Sequence, residues 1–337
     1  MPLAAAAPQL DPVAMNAIRM HRFGGPEVLV LEEVPDPEPG PGEVRIAVAA
    51  SGLNRVDADV REGRARFPVT LPHVLGLETV GRIDAVGPDV DSAWAIGDRV
   101  TPRMNAGGVT LGITVPGGYA EGVIAPAAAL VRVPDGLGDV EAASLQLSYG
   151  TAYHALFGRA RLLAGETVLV SSVSGLVAAA AVRLARRAGA RVIGTSSSRQ
   201  RLAAADLDAG IDYSDEDVAQ RVRELTDGRG VDVAFEHVGG RHFPAAMAAL
   251  APEGRLVTIG AHAGEVVELE VLPFFRQEQT VLGSRGSTHE ELTEVFRLAA
   301  AGEITQEIAG TFELPEAAKA MELLERREVS GKVVLVA

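Results

Sequence analysis

The segment TVLVSSVSGLVAAAAVRLARRAGARVIGT, from Thr167 to Thr195, is the most informative part of the sequence about the fold. Its pattern predicts a buried strand, a tight turn, a helix, a second tight turn and a second strand. Such a unit binds the pyrophosphate of a dinucleotide at the helix N-terminus, because free amide groups and the helix dipole attract an anion there. The stretch therefore predicts a cofactor site.

The turn of this unit departs from the usual glycine pattern. Gly175 stands at the middle position, where glycine lets the backbone approach the pyrophosphate closely. Val173 replaces the expected turn glycine, and Ala178 replaces the glycine that packs the helix on the strand. Leu176 places a bulky side chain at the helix start, where it would crowd a cofactor. An ordinary core unit without a ligand is the alternative, but the strand–turn–helix–strand context favours a cofactor.

The end of the second strand indicates which cofactor is bound. An acidic residue at this point binds the ribose 2′-hydroxyl of NAD. This chain instead has Ser196–Ser198 followed by Arg199 and Arg201, and hydroxyl and guanidinium groups suit a 2′-phosphate. The serines also suit a helix cap followed by solvated arginines, and the two interpretations are compatible. We therefore expect NADPH (NADP+) as the cofactor.

Composition excludes several classes of function. The chain has 337 residues, which favours two domains, and 47% of them are hydrophobic, as in ordinary globular proteins. Its formal net charge of −14 repels nucleic acid. No apolar run is long enough to span a bilayer, and the absence of cysteine excludes disulfides and thiolate metal sites. Residues 1–14 show no secretory signal, so we expect a disordered extension there and a cytoplasmic protein.

Two different patterns divide the chain near Asp135. Before this residue, short alternating strands separated by Gly and Pro turns predict an antiparallel, barrel-like domain. After it, helical segments alternate with buried strands, which predicts a doubly wound parallel sheet with helices on both faces. The predicted fold class is therefore α/β, with a β-barrel domain beside the parallel sheet.

Several segments together resemble the medium-chain dehydrogenase/reductase superfamily, and most closely its zinc-independent quinone oxidoreductase and enoyl reductase branch. The resemblance covers almost the whole chain in the right order. Besides Thr167–Thr195, the segments that carry it are HRFGGPEVLVLEEVPDPEPGPGEV (His21–Val44), ASGLNRVDADVREG (Ala50–Gly63), LPHVLGLETVGRIDAVG (Leu71–Gly87), GDRV (Gly97–Val100), GGYAE (Gly117–Glu121), GTAYHAL (Gly150–Leu156), GRGVDVAFEHVGG (Gly228–Gly240), GRLVTIG (Gly254–Gly260) and GKVVLV (Gly331–Val336).

The resemblance implies a GroES-like catalytic domain at residues 15–135 and 274–337, and a Rossmann cofactor domain at residues 136–273. It also implies a cleft for a small-molecule substrate and, as in many relatives, a homodimer paired through the sheets of the cofactor domains.

The resemblance further implies a reaction without a metal. Zinc-dependent relatives bind zinc at three points, and the matching residues here are Asn54, Leu77 and Leu147. Leucine cannot bind zinc and asparagine is a poor ligand. This branch typically reduces the C=C bond of an enone or quinone: hydride goes to the β-carbon and the enolate is then protonated. Hydrogen-bond donors suffice to polarise the carbonyl group.

Candidate catalytic residues follow from the same resemblance. Asn54 matches an asparagine that lines the cleft and orients nicotinamide or substrate, with capping of a loop as the alternative. Asp59 stands where many of these reductases carry a tyrosine that donates a proton. An ionised aspartate only accepts hydrogen bonds, so the alternative is a solvated helix residue near Arg55 or Arg61. Tyr149 is another candidate proton donor.

Further cofactor contacts are implied in the parallel-sheet domain, with ordinary packing or solvation as the alternative for each. They are Thr151, Ser174, Gly175, Leu176, Val177, Ser197, Arg201, Tyr213, Val238, Gly260, Ala261 and Arg285.

The sequence thus predicts an NADPH-dependent reductase of a conjugated C=C bond. One alternative is a non-redox enzyme, a cyclase, lyase or isomerase, with a decayed cofactor site and Asp59 as its general base. The other alternative is a non-catalytic binding protein on the same scaffold.

Overall fold

The computed structural model describes residues 14–65, 67–104, 108–326 and 330–337. It divides into two compact units: unit 1 combines the described residues up to Val133 with Ile308–Ala337, and unit 2 is Pro134–Glu307. The predicted second boundary at 273/274 differs from this division, because residues 274–307 belong with unit 2. The predicted extension lies outside the described residues, apart from Ala14, which begins the first strand.

Unit 1 consists mainly of antiparallel strands. Its strands and helices are β1 (Ala14–Met20), β2 (Val30–Pro35), β3 (Glu43–Gly52), α1 (Arg55–Arg61), β4 (His73–Val74), β5 (Glu78–Val86), β6 (Arg99–Pro102), β7 (Gly122–Pro126), β8 (Leu130–Arg132), β15 (Ile308–Glu313), α10 (Ala317–Arg326) and β16 (Lys332–Val336).

Strand β3 organises unit 1. It pairs with β5 on one edge, while β7 and β16 share the other edge, at residues 43–47 and 50–52 of β3. The larger sheet has the order β15-β16-β3-β5-β6-β8, and β2-β1-β4 form a second sheet. Val44 and Ile46 on β3 are fully buried in the apolar interior. The predicted antiparallel, GroES-like domain is confirmed.

Unit 2 alternates helices with parallel strands. Its elements are α2 (Asp139–Ala142), α3 (Thr151–Tyr153), β9 (Thr167–Val170), α4 (Leu176–Arg187), β10 (Arg191–Ser196), α5 (Arg199–Ala204), β11 (Ala209–Asp212), α6 (Val218–Leu225), β12 (Val231–Glu236), α7 (His242–Ala248), β13 (Leu250–Thr258), α8 (Val271–Arg276), β14 (Thr280–Gly283) and α9 (His289–Ala300). Within the described ranges, no helix combines the length and apolar character needed to cross a membrane.

The six strands of unit 2 form one parallel sheet in the order β11-β10-β9-β12-β13-β14. Numbered along the unit, this is the 3-2-1-4-5-6 order of the Rossmann fold, so that prediction is confirmed. The central strands β9 and β12 are buried along their whole length, which explains their continuous apolar sequence. The strand order reverses between them, and ligands of such sheets bind at the carboxyl ends of the strands at this reversal.

Candidate functional site

The turn between β9 and α4 forms without the glycine expected at residue 173. Ser172 adopts the left-handed conformation instead, with a φ of 53°. Its amide donates to Thr195 Oγ1 at 3.0 Å, and the amide of Val173 donates to the Thr195 carbonyl at 2.9 Å. Gly194 makes room for Val173, because a Cβ there would lie 2.6 Å from Val173 Cγ1. The left-handed residue of the turn is therefore Ser172, one position before Val173, which stands where the turn glycine was expected.

Gly175 opens the N-terminus of α4 to a ligand. It is the N-cap of this 12-residue helix, and no side chain among the described residues caps it. Its φ of −98° suits any residue, and an added Cβ would approach only the His237 ring, at 3.9 Å. Protein packing does not require glycine here. The open space and the first-turn amides of Leu176 and Val177 fit a pyrophosphate group.

The loop after β12 lies beside this turn. His237 Nε2 donates to the Ser172 carbonyl at 3.3 Å. Burial lowers the pKa of His237, so its ring is neutral near pH 7. The fully buried Glu236 accepts hydrogen bonds from the amides of Val238 and Gly239 at 2.8 and 2.9 Å. Glu236 thus holds the loop, a role that the sequence signals only by an acidic residue at the end of a buried strand.

A backbone contact brings three of the predicted cofactor residues together. The amide of Ala263, in the loop after β13, donates to the carbonyl of Val238 at 2.7 Å. Gly239 allows this approach, since its φ is 74° and a Cβ would lie 2.4 Å from a carbonyl oxygen of the neighbouring loop. Val238, Gly260 and Ala261 therefore lie at one place on the carboxyl edge of the sheet.

Ser197 and Arg201 follow the end of β10, and both side chains are exposed. Arg201 forms no side-chain hydrogen bond or ion pair within the part of the chain that the structure describes. Arg199, by contrast, pairs with Asp212 at 3.6 Å and Asp215 at 3.2 Å. The geometry leaves Arg201 available for an anionic ligand.

Tyr213 follows β11 and packs between two side chains from the start of α7. Its ring centroid lies 4.8 Å from that of His242, and the Arg241 guanidinium carbon lies 5.6 Å from the Tyr213 centroid. Arg241 is an exposed cation beside Tyr213 that the sequence analysis did not identify. Its position depends on how the start of α7 packs against the loop after β11.

Arg285 follows β14, and Thr151 lies in the helical stretch that begins at Gln146. The two regions are close, because a Cβ on Gly150 would lie 3.0 Å from Ser287 Oγ. All the predicted cofactor residues except Thr151 thus lie in loops, or first helical turns, at the carboxyl ends of the parallel strands.

The hydroxyl of Tyr149, a candidate proton donor, is hydrogen-bonded within the protein. It is fully buried, and its hydroxyl donates to the Thr305 carbonyl at 2.7 Å while accepting from Arg183 at 3.3 Å. Burial raises the pKa of the Tyr149 hydroxyl above its ordinary value. Because its only hydroxyl hydrogen is engaged, these contacts do not support a role as proton donor.

The candidate residue Asp59 lies on α1 of unit 1. Its carboxylate is partly exposed and pairs with Arg64 at 3.0 Å and Arg55 at 3.9 Å. The nearby Arg61 instead contacts Glu325 at 2.7 Å. These contacts fit the alternative interpretation, an ion-paired residue on the surface of the helix.

Asn54 is the N-cap residue of α1, but its side chain does not cap the helix. Its Oδ1 accepts from Lys332 Nζ at 2.5 Å, and its Nδ2 donates to Glu78 Oε2 at 3.2 Å and to the Gly52 carbonyl at 3.1 Å. Lys332 also donates to Glu78 at 2.6 Å. The sequence indicated Asn54 but neither of its charged partners.

Asp57 extends this buried group. Its Oδ2 accepts from the Asn54 amide at 2.8 Å and from the Tyr119 hydroxyl at 3.1 Å, and its Oδ1 has no hydrogen-bond partner among the described residues. Burial raises the pKa of Asp57 to about 7, although the Asn54 amide and the charge of Lys332 lower it. Its carboxyl group therefore titrates near neutral pH.

Two family models match the chain, one in each unit. The family model for the alcohol dehydrogenase GroES-like domain matches residues 40–135, and that for zinc-binding dehydrogenase matches residues 177–301. Within the described residues, no group of three or more His, Asp or Glu could hold a metal ion.

Two curated relatives and one solved structure are similar along almost their whole length. A quinone oxidoreductase of Pseudomonas aeruginosa is 36% identical over 332 residues, which is 95% of this chain and 98% of that protein. A 2-haloacrylate reductase of Burkholderia sp is 31% identical over 335 residues, 94% and 97% of the two chains. The crystal structure of AibC has a TM-score of 0.89 and 37% identity, and the match covers 99% of each chain.

The strained turn makes a first prediction. Ser172→Gly is expected to raise the free energy of unfolding by about 0.5–1 kcal/mol. The left-handed conformation costs a non-glycine residue about 1–2 kcal/mol, and the larger backbone entropy that glycine loses on folding offsets part of this gain. Urea unfolding measures the change. Ser174→Gly, the same substitution two residues later, is the control and should lower stability or leave it unchanged. Equal effects at the two positions would contradict the assignment.

Asp57 makes a second prediction. An aspartate in the unfolded chain has a pKa near 3.9 and Asp57 in the folded protein has one of about 7, so the folded state binds the extra proton between these values. Wild-type stability therefore falls, relative to Asp57→Asn, as pH rises from about 5 to about 7, by up to about 1.4 kcal/mol per pH unit.

Urea titrations of both proteins across this pH range measure the difference in unfolding free energy. Asp59→Asn, which removes a partly exposed carboxylate from the same helix, is the control and should show no such trend. A pH-independent difference between wild type and Asp57→Asn would show that the buried carboxyl does not titrate there.

Proposed function

Because the chain belongs to the medium-chain dehydrogenase/reductase superfamily, in its quinone oxidoreductase-like branch, we propose that it is an NADPH-dependent reductase of a C=C bond conjugated to a carbonyl group. Quinones and acrylates, named for two of its relatives, both contain such a bond. The proposed reaction requires no metal, since leucine occupies two of the three positions that match zinc ligands, Leu77 and Leu147.

The observation that carries the proposal is the open N-terminus of α4. Open space lies beside Gly175, since an added Cβ would approach only the His237 ring. This space is at the reversal of strand order, where such sheets bind ligands. The first-turn amides of α4 would bind the pyrophosphate, and Ser197 and Arg201 would bind the 2′-phosphate. Glu236 would keep the loop beside the nicotinamide ribose in place.

The bound cofactor would supply a hydride to the β-carbon of the substrate. We propose that water supplies the proton that completes the reduction at the α-carbon. This follows from the contacts of the two predicted donors: Asp59 is held in ion pairs with arginines, and Tyr149 donates its hydroxyl hydrogen to Thr305. One hydride and one proton together saturate the C=C bond.

Cofactor binding gives the direct test. Arg201→Gln is expected to weaken NADPH binding by about 10- to 100-fold and to leave NADH binding unchanged, because a hydrogen bond to a charged group contributes about 1.5–3 kcal/mol. Fluorescence titration with each nucleotide measures both affinities.

Arg199→Gln is the matched control, since its guanidinium is already paired with Asp212 and Asp215, and it should change NADPH affinity little. If the wild-type protein does not bind NADPH at millimolar concentration, the reductase proposal is wrong. If it binds, consumption of NADPH with a panel of quinones, enones and acrylates tests the substrate class.

We also propose a homodimer formed through the outer edge of β14. This strand pairs only with β13 among the described strands, and exposed apolar side chains lie beside it. Val271 is 62% exposed, Phe275 is 59% exposed and Val281 is 38% exposed. An unpaired strand edge with apolar neighbours is a template for pairing with a second copy.

The double variant Phe275→Glu/Val281→Lys is expected to be monomeric, because it places charges at this edge. Light scattering after size-exclusion chromatography measures the mass. Leu163→Glu, at a residue of the same unit that is 63% exposed, is the control and should retain the wild-type mass. A wild-type protein with the mass of one chain would refute the dimer.

A further inference from the structure

The ion pair between Lys332 and Glu78 is completely buried in unit 1, with both side chains 0% exposed. Removing two charges from water costs several kcal/mol per ion, so a buried pair is weak evidence for stability, and apolar side chains of similar volume often replace one without loss. A contribution to stability alone therefore does not explain this pair. Its contacts with a third group indicate a different role.

That third group is the carboxamide of Asn54, and the pair determines which way it faces. Lys332 carries only hydrogen-bond donors, so Asn54 must turn its oxygen toward Nζ. Ionised Glu78 carries only acceptors, so Asn54 must turn its nitrogen toward Oε2. A flipped carboxamide would place donor against donor and acceptor against acceptor.

The backbone of the last strand reinforces this arrangement. The amide of Leu53, the residue before Asn54, donates to the carbonyl of Val333 at 2.9 Å. Lys332 thus holds Asn54 through its side chain, and the next residue of β16, Val333, holds Leu53 through its backbone carbonyl. Because β16 runs along the edge of β3 that leads directly into Asn54, this contact is set by the sheet.

The hydrogen bonds also decide what Asn54 offers to a reactant. Both hydrogens of Nδ2 are used, one by Glu78 and one by Gly52. An amide oxygen accepts two hydrogen bonds, and Lys332 supplies one of them. Asn54 therefore keeps one acceptor position and no donor.

We propose that Lys332 is a positioning residue: with Glu78, it fixes the Asn54 carboxamide so that its oxygen accepts a hydrogen bond from an N–H or O–H group of the reactants. This inference rests on the proposed function and on the resemblance, which implies that Asn54 orients nicotinamide or substrate. Lys332 itself does not touch them and acts through Asn54.

Kinetics of a double-mutant cycle test the proposal. Asn54→Ala and Lys332→Met are each expected to lower kcat for NADPH-dependent reduction by about 10- to 100-fold, the range in which a misplaced group reduces rates. The double variant should be no slower than the slower single variant, while NADPH affinity stays at the wild-type value. Unchanged kcat in Lys332→Met, or losses that multiply in the double variant, would overturn the inference.

Charge balance needs its own control, because Lys332→Met leaves Glu78 buried without a counter-charge. The variant Lys332→Met/Glu78→Gln removes both charges and is expected to regain stability while kcat remains low. Recovery of kcat together with stability would show that the pair only balances charge. Arg61→Met, at another buried cation of unit 1, should reduce stability and leave kcat of the folded protein unchanged.

A second readout does not depend on activity. The chain has three asparagines, Asn16, Asn54 and Asn105, so selective side-chain ¹⁵N-asparagine labelling yields three pairs of amide signals, and Asn54→Ala identifies the relevant pair. In wild type, the Asn54 side-chain amide should exchange slowly with solvent, and in Lys332→Met/Glu78→Gln it should exchange quickly. Equal exchange in both proteins would overturn the inference even if the protein reduces enones. Absence of NADPH turnover with the expected exchange difference would instead refute only the proposed function.

Discussion

The buried ion pair between Lys332 and Glu78 connects the segments of unit 1 that surround Asn54. It joins the last strand of the chain to β5 and to the residue that begins α1, three segments that are far apart in sequence. Since neither charge reaches water, each is tolerated only while the other is in place. The C-terminal strand β16 therefore contributes to the interior of unit 1, and the direction of the Asn54 carboxamide is a consequence of this contact.

Unit 2 depends on a different constraint, the reversal of strand order between β9 and β12. The reversal places the Ser172 turn, the N-terminus of α4 and the His237 loop side by side. Backbone amides of these elements lie at this edge. The amide of Ser172 donates to Thr195, and the amide of Val238 donates to Glu236. The amides at the start of α4 are the ones left for an anion, which is why the proposed cofactor chemistry is assigned to this edge.

Much of the fold could be predicted from local patterns. The apolar runs of β9 and β12 indicated buried parallel strands, and the Gly and Pro turns before Asp135 indicated short antiparallel strands. The loops that hold most of the predicted cofactor residues were also found, since residues after parallel strands lie on one edge whatever the side-chain details. The second domain boundary, predicted at 273/274, differs from the division into compact units. The sequence between residues 274 and 307 does not show that β14 pairs with β13.

Sequence patterns alone indicated an antiparallel domain followed by a doubly wound parallel sheet and excluded thiolate chemistry, because these follow from periodicity, turn residues and composition. The hydrogen-bond partners of the polar groups became apparent from the three-dimensional contacts. In the structure, Ser172 is the left-handed residue of the turn, the Tyr149 hydroxyl donates to the Thr305 carbonyl, and Asn54 contacts Lys332, Glu78 and Asp57. Hydrogen bonds and the burial of charge depend on distances between residues far apart in the chain, and local sequence patterns do not contain these distances.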